Sequence, residues 1–277
     1  MKSIANIGLE NVQAVYSGPE GDLWELVMGE QIHIGGFASS MDLAKRAGVG
    51  RGMHGIDLCA CNGAGMRFLV GFRKVESMRG VDAAAKVIER GRQRCQAEGL
   101  DRKITFLLAD ACNCGLPSGS VDFVWGEDAW CYVIDKPRLI AEAVRLVKPG
   151  GVIAFTDWIE GLVELSDEEA QRLLAFMKFP NIQDVPGYLE LLAANGCDIL
   201  VAEDTGRFAP HADLYLAMLN QQLAYDALKI FGFDTDLMQT LAGEMMFLQQ
   251  LAHAGKIAQG IFIARKRSNP MPANPAN

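Results

Sequence analysis

The sequence predicts a doubly wound α/β fold with a mostly parallel sheet, and two observations support this prediction. Beyond about residue 53, short apolar runs alternate with stretches in which apolar residues recur every three or four positions. Such alternation is typical of parallel strands joined by crossover helices. Half of the 277 residues are apolar and only 22% are charged, so the chain can bury a sizeable core.

Seven strands are predicted from the apolar runs. Helices are predicted between them, for example at 83–99 and 136–147. The segment 146–151, LVKPGG, indicates a helix end followed by a Pro-Gly-Gly turn that leads into the next strand. The predicted strands are 54–59, 74–82, 104–110, 121–127, 150–158, 197–204 and 260–267.

Two regions interrupt the alternation and are predicted to cover one edge of the sheet. Residues 1–40 carry helical segments before the first predicted strand, and residues 207–256 form a Leu- and Met-rich helical stretch before the last. Ligands of open α/β sheets bind beyond the carboxyl ends of the strands, so both regions are candidate lids. The expected division is a lid at 1–40, a main domain at 41–267 and a disordered Pro- and Asn-rich tail at 268–277.

Charge and cysteine content restrict the partners. A net charge of −8 argues against nucleic acid or an anionic membrane as the main partner and favours a small molecule. The N-terminus lacks the pattern of a signal peptide, and no apolar run is long enough to cross a bilayer. Seven cysteines then suggest reduced thiols in the cytoplasm. A homodimer is one candidate assembly.

Polar features follow four of the predicted strands and should meet at the same edge of the sheet. A loop at 57–65 leaves the first strand, and Asp82 ends the second, where a carboxylate could hold two ribose hydroxyls. Asp110 and Ala111 follow the third strand and could read the edge of an adenine. The segment 125–128 leaves the fourth strand.

A nicotinamide dinucleotide would use Asp82 in the same way but needs a Gly-x-Gly-x-x-Gly loop. Residues 59–64 read CACNGA, so the glycines required at the first, third and sixth positions are missing. Asp110, after the third strand, and the turn in the segment 146–151, before the fifth strand, also have no role in dinucleotide binding. The dinucleotide interpretation is therefore disfavoured.

The chain resembles the class I S-adenosylmethionine-dependent methyltransferases. Their D-x-G-x-G-x-G loop corresponds to residues 57–63, DLCACNG, and Asp82, Asp110-Ala111 and the segment 146–151 follow in the family's order. The resemblance implies a Rossmann-like sheet of seven strands and S-adenosyl-L-methionine as cofactor. The cofactor-binding residues that it implies are Asp57, Cys59, Ala60, Cys61, Gly63, Asp82, Ala83, Asp110, Ala111 and Glu127.

Cys59 and Cys61 replace two glycines of that loop. We expect them to be small fillers that keep the cradle if both have φ below zero, which glycine does not require. An alternative is a site where thiolates from residues 59, 61, 112, 114 and 131 converge on a metal or on arsenite. The C-x-C spacing does not match structural zinc sites, and no histidine completes a set.

Within the family, the segment 121–158 resembles the group that contains sarcosine/dimethylglycine and phosphoethanolamine methyltransferases. Asp128-Ala129 precedes Tyr132, where that group carries a histidine, and Tyr16 and the segment 31–37 resemble the group's lid. The resemblance implies catalytic roles for Tyr132, His33 and Tyr16. Tyr132 is a poor base because its reference pKa is about 10, so His33 is either a base or a structural hydrogen-bonding residue.

An aromatic wall is expected at the acceptor side. Tyr16, Trp130, Tyr132 and Trp158 could favour a methylammonium product through cation–π contact, although each could equally be ordinary packing. Asp128 is also assigned to the substrate. The expected reaction is methyl transfer to a small-molecule amine. The alternatives are O- or C-methylation of a phenolic or quinone-like acceptor, or a thiol-based metal or arsenite binder.

Overall fold

A computed structural model describes residues 1–268 of the protein. The predicted tail, apart from Ser268, lies outside the described residues. The strands are β1 (Lys2–Ser3), β2 (His54–Leu58), β3 (Ser77–Asp82), β4 (Ile104–Leu108), β5 (Val121–Glu127), β6 (Val147–Glu160), β7 (Asn181–Ile182), β8 (Cys197–Asp204) and β9 (Ile257–Lys266). The helices are α1 (Leu9–Tyr16), α2 (Pro19–Met28), α3 (Gly36–Arg46), α4 (Ala64–Phe72), α5 (Ala85–Ala97), α6 (Lys136–Leu146), α7 (Asp167–Met177), α8 (Val185–Ala194), α9 (Phe208–Gln221), α10 (Ala224–Ile230) and α11 (Thr235–His253).

The main sheet has seven strands in the order β4-β3-β2-β5-β6-β9-β8. Neighbouring strands from β4 to β6 are parallel, whereas β9 runs antiparallel to both of its neighbours. The predicted fold class, a doubly wound and mostly parallel sheet of seven strands, is confirmed. The strand order reverses between β2 and β5, and this switch point is where such sheets bind ligands.

Some element boundaries differ from those predicted. β6 begins at Val147, so the Pro-Gly-Gly turn is part of the strand, with a register shift opposite Val121 and Phe123. Gly150 has a φ of 78°, which lets the chain bend at this irregularity. Helix α3 spans 36–46, so residue 40, the predicted end of the lid, lies inside a helix.

The helices at the N-terminus and those before β9 share one apolar core. Leu23 and Trp24 of α2 belong to the same buried cluster as Leu216 of α9 and Leu248 of α11. Two other clusters cover the two faces of the sheet. The two regions that interrupt the α/β alternation therefore form a joint layer. Across residues 1–268, no helix combines the length and apolar character that crossing a membrane requires.

Candidate functional site

A cavity of about 280 Å³ opens at the switch point of the sheet. Its walls come from the loop after β2, the ends of β3, β4 and β5, helix α1 and the segment between α2 and α3. The expected cofactor residues that line it include Asp57, Cys59, Ala60, Cys61, Asp82, Ala83, Asp110, Ala111 and Glu127. The structure thus brings together side chains that are up to 70 positions apart in the sequence.

The loop after β2 has a backbone that differs from the expectation. Cys59 has a φ of 65° and Cys61 a φ of 47°, so the condition stated from the sequence, that both keep φ below zero, is not met. The loop retains the left-handed turns for which glycine is suited, and each cysteine adopts them at a steric cost. Gly63, with a φ of 75°, precedes the first residue of α4, so the positive end of that helix faces the loop.

Asp82 is fixed at the end of β3 by two backbone groups. Its Oδ2 accepts a hydrogen bond from the Cys61 N–H at 2.8 Å, and its Oδ1 accepts one from the Ala84 N–H at 2.9 Å. Burial raises the pKa of this carboxyl group, while the N–H donors lower it. Each oxygen keeps a further lone pair for a ligand in the cavity.

Asp57 is a buried carboxyl group on the cavity wall, only 5% exposed. Within residues 1–268 it accepts no side-chain or backbone hydrogen bond. Its pKa is raised well above the ordinary value, first by burial and then by the negative charges of Glu127 and Asp82. A cation or a hydrogen-bond donor that entered the cavity would therefore be favoured here.

Gly65 allows the carboxyl groups of Asp57 and Glu127 to approach the start of α4. A Cβ at Gly65 would overlap Glu127 Oε2 and lie 3.6 Å from Asp57 Oδ2. A side chain at this position would displace the Glu127 carboxylate from the cavity wall. Gly65 was not assigned a role from the sequence.

Asp110 and Ala111 lie at the opposite end of the cavity, after β4. Asp110 Oδ1 accepts the Cys112 N–H at 2.8 Å, and Ala111 is buried beside it. Cys112 also lines the cavity, and its thiol donates to the Asp135 carbonyl oxygen at 3.6 Å. This corner is apolar and flanked by one exposed carboxylate.

Tyr16 and Tyr132 meet across the cavity. The Tyr16 hydroxyl donates to the Tyr132 hydroxyl at 2.9 Å, and the two rings are in edge-to-face contact with centroids 5.4 Å apart. Burial raises the pKa of both phenols, so both remain protonated at neutral pH. Tyr132 receives a hydrogen bond from Tyr16 and keeps its own proton free to donate.

His33 lines the cavity but is held by protein atoms on both ring nitrogens. Nε2 is 3.1 Å from Ser40 Oγ and 3.4 Å from Glu127 Oε1, and Nδ1 is 3.4 Å from the Ile34 carbonyl oxygen. Ser40 also donates to Glu127 Oε1 at 2.5 Å. This geometry favours the structural alternative, in which His33 closes the lid segment.

Asp128, assigned to the substrate, anchors the same segment. Its Oδ2 accepts the Ile34 N–H at 2.8 Å, and both of its oxygens accept hydrogen bonds from the Gln259 side chain. Asp128 is 5% exposed and borders the cavity. Its carboxylate is thus largely committed to holding the lid.

The expected four-membered aromatic wall is corrected by the structure. Trp130 is fully buried, stacks on Phe155 with ring centroids 4.0 Å apart and donates to the Leu58 carbonyl oxygen. Trp158 is packed against Phe179 and Phe208. Neither indole lines the cavity, because both side chains point into the core. Tyr16 and Tyr132 are the two members of that set at the cavity.

The cysteines do not form the thiolate cluster of the alternative interpretation. In the part of the chain that the structure describes, no group of three or more His, Cys, Asp or Glu side chains is placed to hold a metal ion. Burial raises the pKa of Cys61 and of Cys112 to about 12, so these thiols stay protonated at neutral pH. Protonated thiols are weak metal ligands.

Several cavity residues were not identified from the sequence. Gln13 on α1 donates to the Ala83 carbonyl oxygen at 2.7 Å and so ties the lid to the end of β3. Its only sequence signal was a polar residue beside the apolar positions of a short helix. The other lining residues that were missed include Leu9, Val12, Glu30, Ala84, Val87, Val133, Ile134 and Arg138.

Comparison with known proteins agrees with this arrangement. Residues 56–155, from β2 to β6, match the family described as "Methyltransferase domain". This segment is similar to a methyltransferase domain. The matched region contains the loop after β2, Asp82, Asp110 and Tyr132, so most of the residues that line the cavity lie within it.

The chain has characterised relatives of several kinds. The chain is 24% identical to phosphoethanolamine N-methyltransferase 1 of Arabidopsis thaliana, over 78% of this chain and 41% of the relative. It is 30% identical to dimethylglycine N-methyltransferase of Parasynechococcus marenigrum, over 47% of this chain and 50% of the relative. The chain spans 41 to 62% of the first three curated relatives that it matches.

A solved structure shares the fold over nearly the whole chain. It is phosphoethanolamine N-methyltransferase 2 of Haemonchus contortus with phosphomonomethylethanolamine and S-adenosylhomocysteine. The TM-score is 0.82 at 21% identity, over 92% of this chain and 58% of that chain. The chain, including most of its lid helices and helices before β9, therefore shares the fold of that structure.

Proposed function

We propose that the protein transfers a methyl group from S-adenosyl-L-methionine to a small-molecule amine. The observation that carries this proposal is the convergence of Asp57, Asp82 and the start of α4 on one cavity at the switch point. A buried carboxyl group without a hydrogen-bond partner, at Asp57, and one with free lone pairs, at Asp82, suit a ligand that is cationic and rich in hydroxyl groups. The choice of an amine nitrogen as the methyl acceptor is supported by the resemblance to N-methyltransferases and by the acidic cavity wall.

The residues present fit the cofactor. Asp82 offers free lone pairs for two ribose hydroxyls, Asp57 offers an unpaired carboxyl group for an ammonium, and the corner at Asp110, Ala111 and Cys112 suits an adenine. When bound, S-adenosylmethionine supplies an electrophilic methyl group on a positively charged sulfur. The cysteines at 59 and 61 leave the cradle open, since both line the cavity without filling it.

The role of Tyr132 in this proposal is to orient the acceptor. Tyr16 donates to its hydroxyl, which leaves the Tyr132 proton for the acceptor. A phenol with a raised pKa does not act as a base, so the acceptor must bind as the neutral amine or lose its proton to solvent. Helix α1 covers the tyrosine pair and helps to exclude water from the cavity.

Two measurements test the proposal. Titration calorimetry with S-adenosylhomocysteine should show one site per chain, and mass spectrometry should detect methylated product from a panel of amines. A folded protein that binds neither cofactor form would contradict the proposal. Products methylated at oxygen or carbon would support the alternative acceptors instead, and metal analysis under reducing conditions tests the thiol alternative.

A cytoplasmic location and a homodimer are also proposals. All seven cysteines are free, which suits a reducing compartment. Light scattering of the purified protein measures the assembly directly, and cell fractionation measures the location.

A further inference from the structure

The acceptor end of the cavity is formed by lining residues that are not among those proposed to hold the cofactor. Leu9, Val12 and Tyr16 of α1 line the cavity together with Ile32, Tyr132 and Val133, and Tyr16 contacts Tyr132. These side chains are apolar except for the two phenols. An acceptor that lies here would contact hydrocarbon and aromatic rings over most of its surface.

Permanent cations are scarce around this space. Among the cavity-lining residues of the described chain, Arg138 carries the one guanidinium or ammonium group. Arg138 is exposed and lies beside Cys112, at the Asp110 corner. Residues 269–277, NPMPANPAN, contain no Lys, Arg or His, so these nine residues carry no cationic side chain.

Other basic side chains near the cavity are already paired within the protein. Arg67 binds Glu30 and Glu98, and its Nη1 donates to the Asn62 carbonyl oxygen at 2.7 Å. Lys136, which is 1% exposed, donates to the Val133 carbonyl oxygen at 2.6 Å and to Asn181 Oδ1 at 2.7 Å. Neither side chain lines the cavity.

Carboxyl groups, in contrast, surround the cavity. They belong to Glu30, Asp57, Asp82, Asp110, Glu127, Asp128 and Asp135. A phosphate or carboxylate on an acceptor bound against α1 would lose its hydration, find no permanent cation at this end of the cavity and lie in a cavity lined mainly by acidic side chains. Juxtaposed like charges at a binding site discriminate strongly between ligands.

We infer that the methyl acceptor carries no anionic group and is an uncharged or cationic amine with an apolar body. This inference rests on the proposed function and narrows it. It separates this chain from relatives named for phosphoethanolamine and dimethylglycine, whose acceptors carry a phosphate or a carboxylate.

Matched pairs of probes test the inference. Ethanolamine is compared with phosphoethanolamine, dimethylethanolamine with dimethylglycine, and phenethylamine with phenylalanine, by product mass and by S-adenosylhomocysteine release. In each pair that reacts, we expect kcat/KM of the member without the anionic group to be roughly tenfold higher or more. Cofactor binding is measured separately by calorimetry.

A charge variant sharpens the comparison. Val12→Lys places an ammonium on the cavity face of α1, whereas Ala14→Lys places one on an exposed position of the same helix. We expect Val12→Lys to raise relative activity on the anionic members by about tenfold and Ala14→Lys to change it by less than about twofold.

The outcomes separate the two proposals. Cofactor binding together with faster methylation of phosphoethanolamine or dimethylglycine would overturn this inference and leave the proposed function standing. A folded protein that binds no cofactor would overturn the proposed function itself. If the natural protein preferred the anionic member of a pair and Val12→Lys left that preference unchanged, the inference would also be contradicted.

Discussion

The Tyr16 hydroxyl donates to the Tyr132 hydroxyl at 2.9 Å and so joins the lid helix α1 to the turn after β5. The pair connects an element that covers the cavity with one that is part of its wall. Because burial keeps both phenols protonated, the pair can act through hydrogen bonds and shape but not as a base.

Tyr132→Phe removes the hydroxyl and leaves the ring. If this hydroxyl orients the acceptor, turnover should fall roughly tenfold or more, a loss of about 1.4 kcal/mol in transition-state stabilisation. Affinity for S-adenosylmethionine should stay nearly unchanged, because the carboxyl groups proposed to hold the cofactor lie elsewhere on the wall. Steady-state kinetics and calorimetry on the same preparation measure both quantities.

The matched variant Tyr16→Phe removes the donor of the same hydrogen bond. Its effect should be smaller, and the double variant should resemble Tyr132→Phe alone, because the Tyr16 hydroxyl acts through Tyr132. Tyr132→His should be tolerated better than Tyr132→Ala. Full activity of Tyr132→Phe would assign the hydroxyl no catalytic part and make His33 the residue to examine.

Asp82→Ala tests the proposed ribose contact. The variant removes hydrogen bonds to a charged acceptor, each worth about 1.5–3 kcal/mol at most, so affinity for S-adenosylhomocysteine should fall at least tenfold. Glu89→Ala, an exposed carboxylate on the neighbouring helix α5, serves as control and should bind normally. Unchanged affinity in folded Asp82→Ala would place the ribose elsewhere.

The succession of strands along the chain and the positions of Asp57, Asp82 and Asp110 at strand ends follow from local sequence pattern. Apolar runs fix the strands, and a polar residue at the carboxyl end of a parallel strand must lie at one edge of the sheet. This part of the prediction needs no knowledge of how distant segments pack. The confirmed fold class is of this kind.

The orientation of side chains after a strand end could not be predicted in the same way. Trp130 and Tyr132 are two residues apart in one short 3₁₀ turn, yet the indole points into the core and the phenol into the cavity. Gln13 depends on how α1 packs over β3, a contact across 70 positions. Tertiary packing decides both, and local pattern does not report it.

The backbone of the loop after β2 gives a second example and a prediction. Cys59 and Cys61 have positive φ, which costs a residue with a Cβ about 1–2 kcal/mol. Glycine at either position should therefore give a more stable protein than alanine, by about 1 kcal/mol per site. Cofactor binding should persist in the double glycine variant. Chemical denaturation of the Gly and Ala variants measures the difference, and equal stability would mean that the loop is not strained.

Asp157 provides a prediction for pH. This residue is fully buried in β6, accepts the Cys131 N–H at 2.9 Å and the Tyr188 hydroxyl at 2.5 Å, and so supports the turn that carries Tyr132. Burial raises its pKa from 3.8 to about 6, against the opposing effect of Lys136. The folded protein therefore holds this proton more tightly than the unfolded chain does.

The sign of the pH effect follows from that difference. The stabilisation is complete below about pH 4, where both states are protonated, and is lost as the pH rises through about 6. In Asp157→Asn the group cannot titrate, so the stability of the natural protein relative to this variant should decrease from pH 4 to pH 7. The free energy of unfolding is measured for both proteins in the same buffers. The contributions of the carboxyl groups that the two proteins share then cancel in the difference.

Glu142→Gln is the matched control because its carboxyl group shifts in the opposite direction. The hydrogen bond from Arg145 lowers the pKa of Glu142 from 4.5 to about 2. Its stabilisation is present above about pH 4.5 and is lost as the pH falls toward 2, so the difference between Glu142→Gln and the natural protein should be constant from pH 5 to pH 7. If the Asp157→Asn difference were equally constant over that range, Asp157 would be ionised throughout it. The charged carboxylate, paired with Lys136, would then be the form that supports the turn beneath Tyr132.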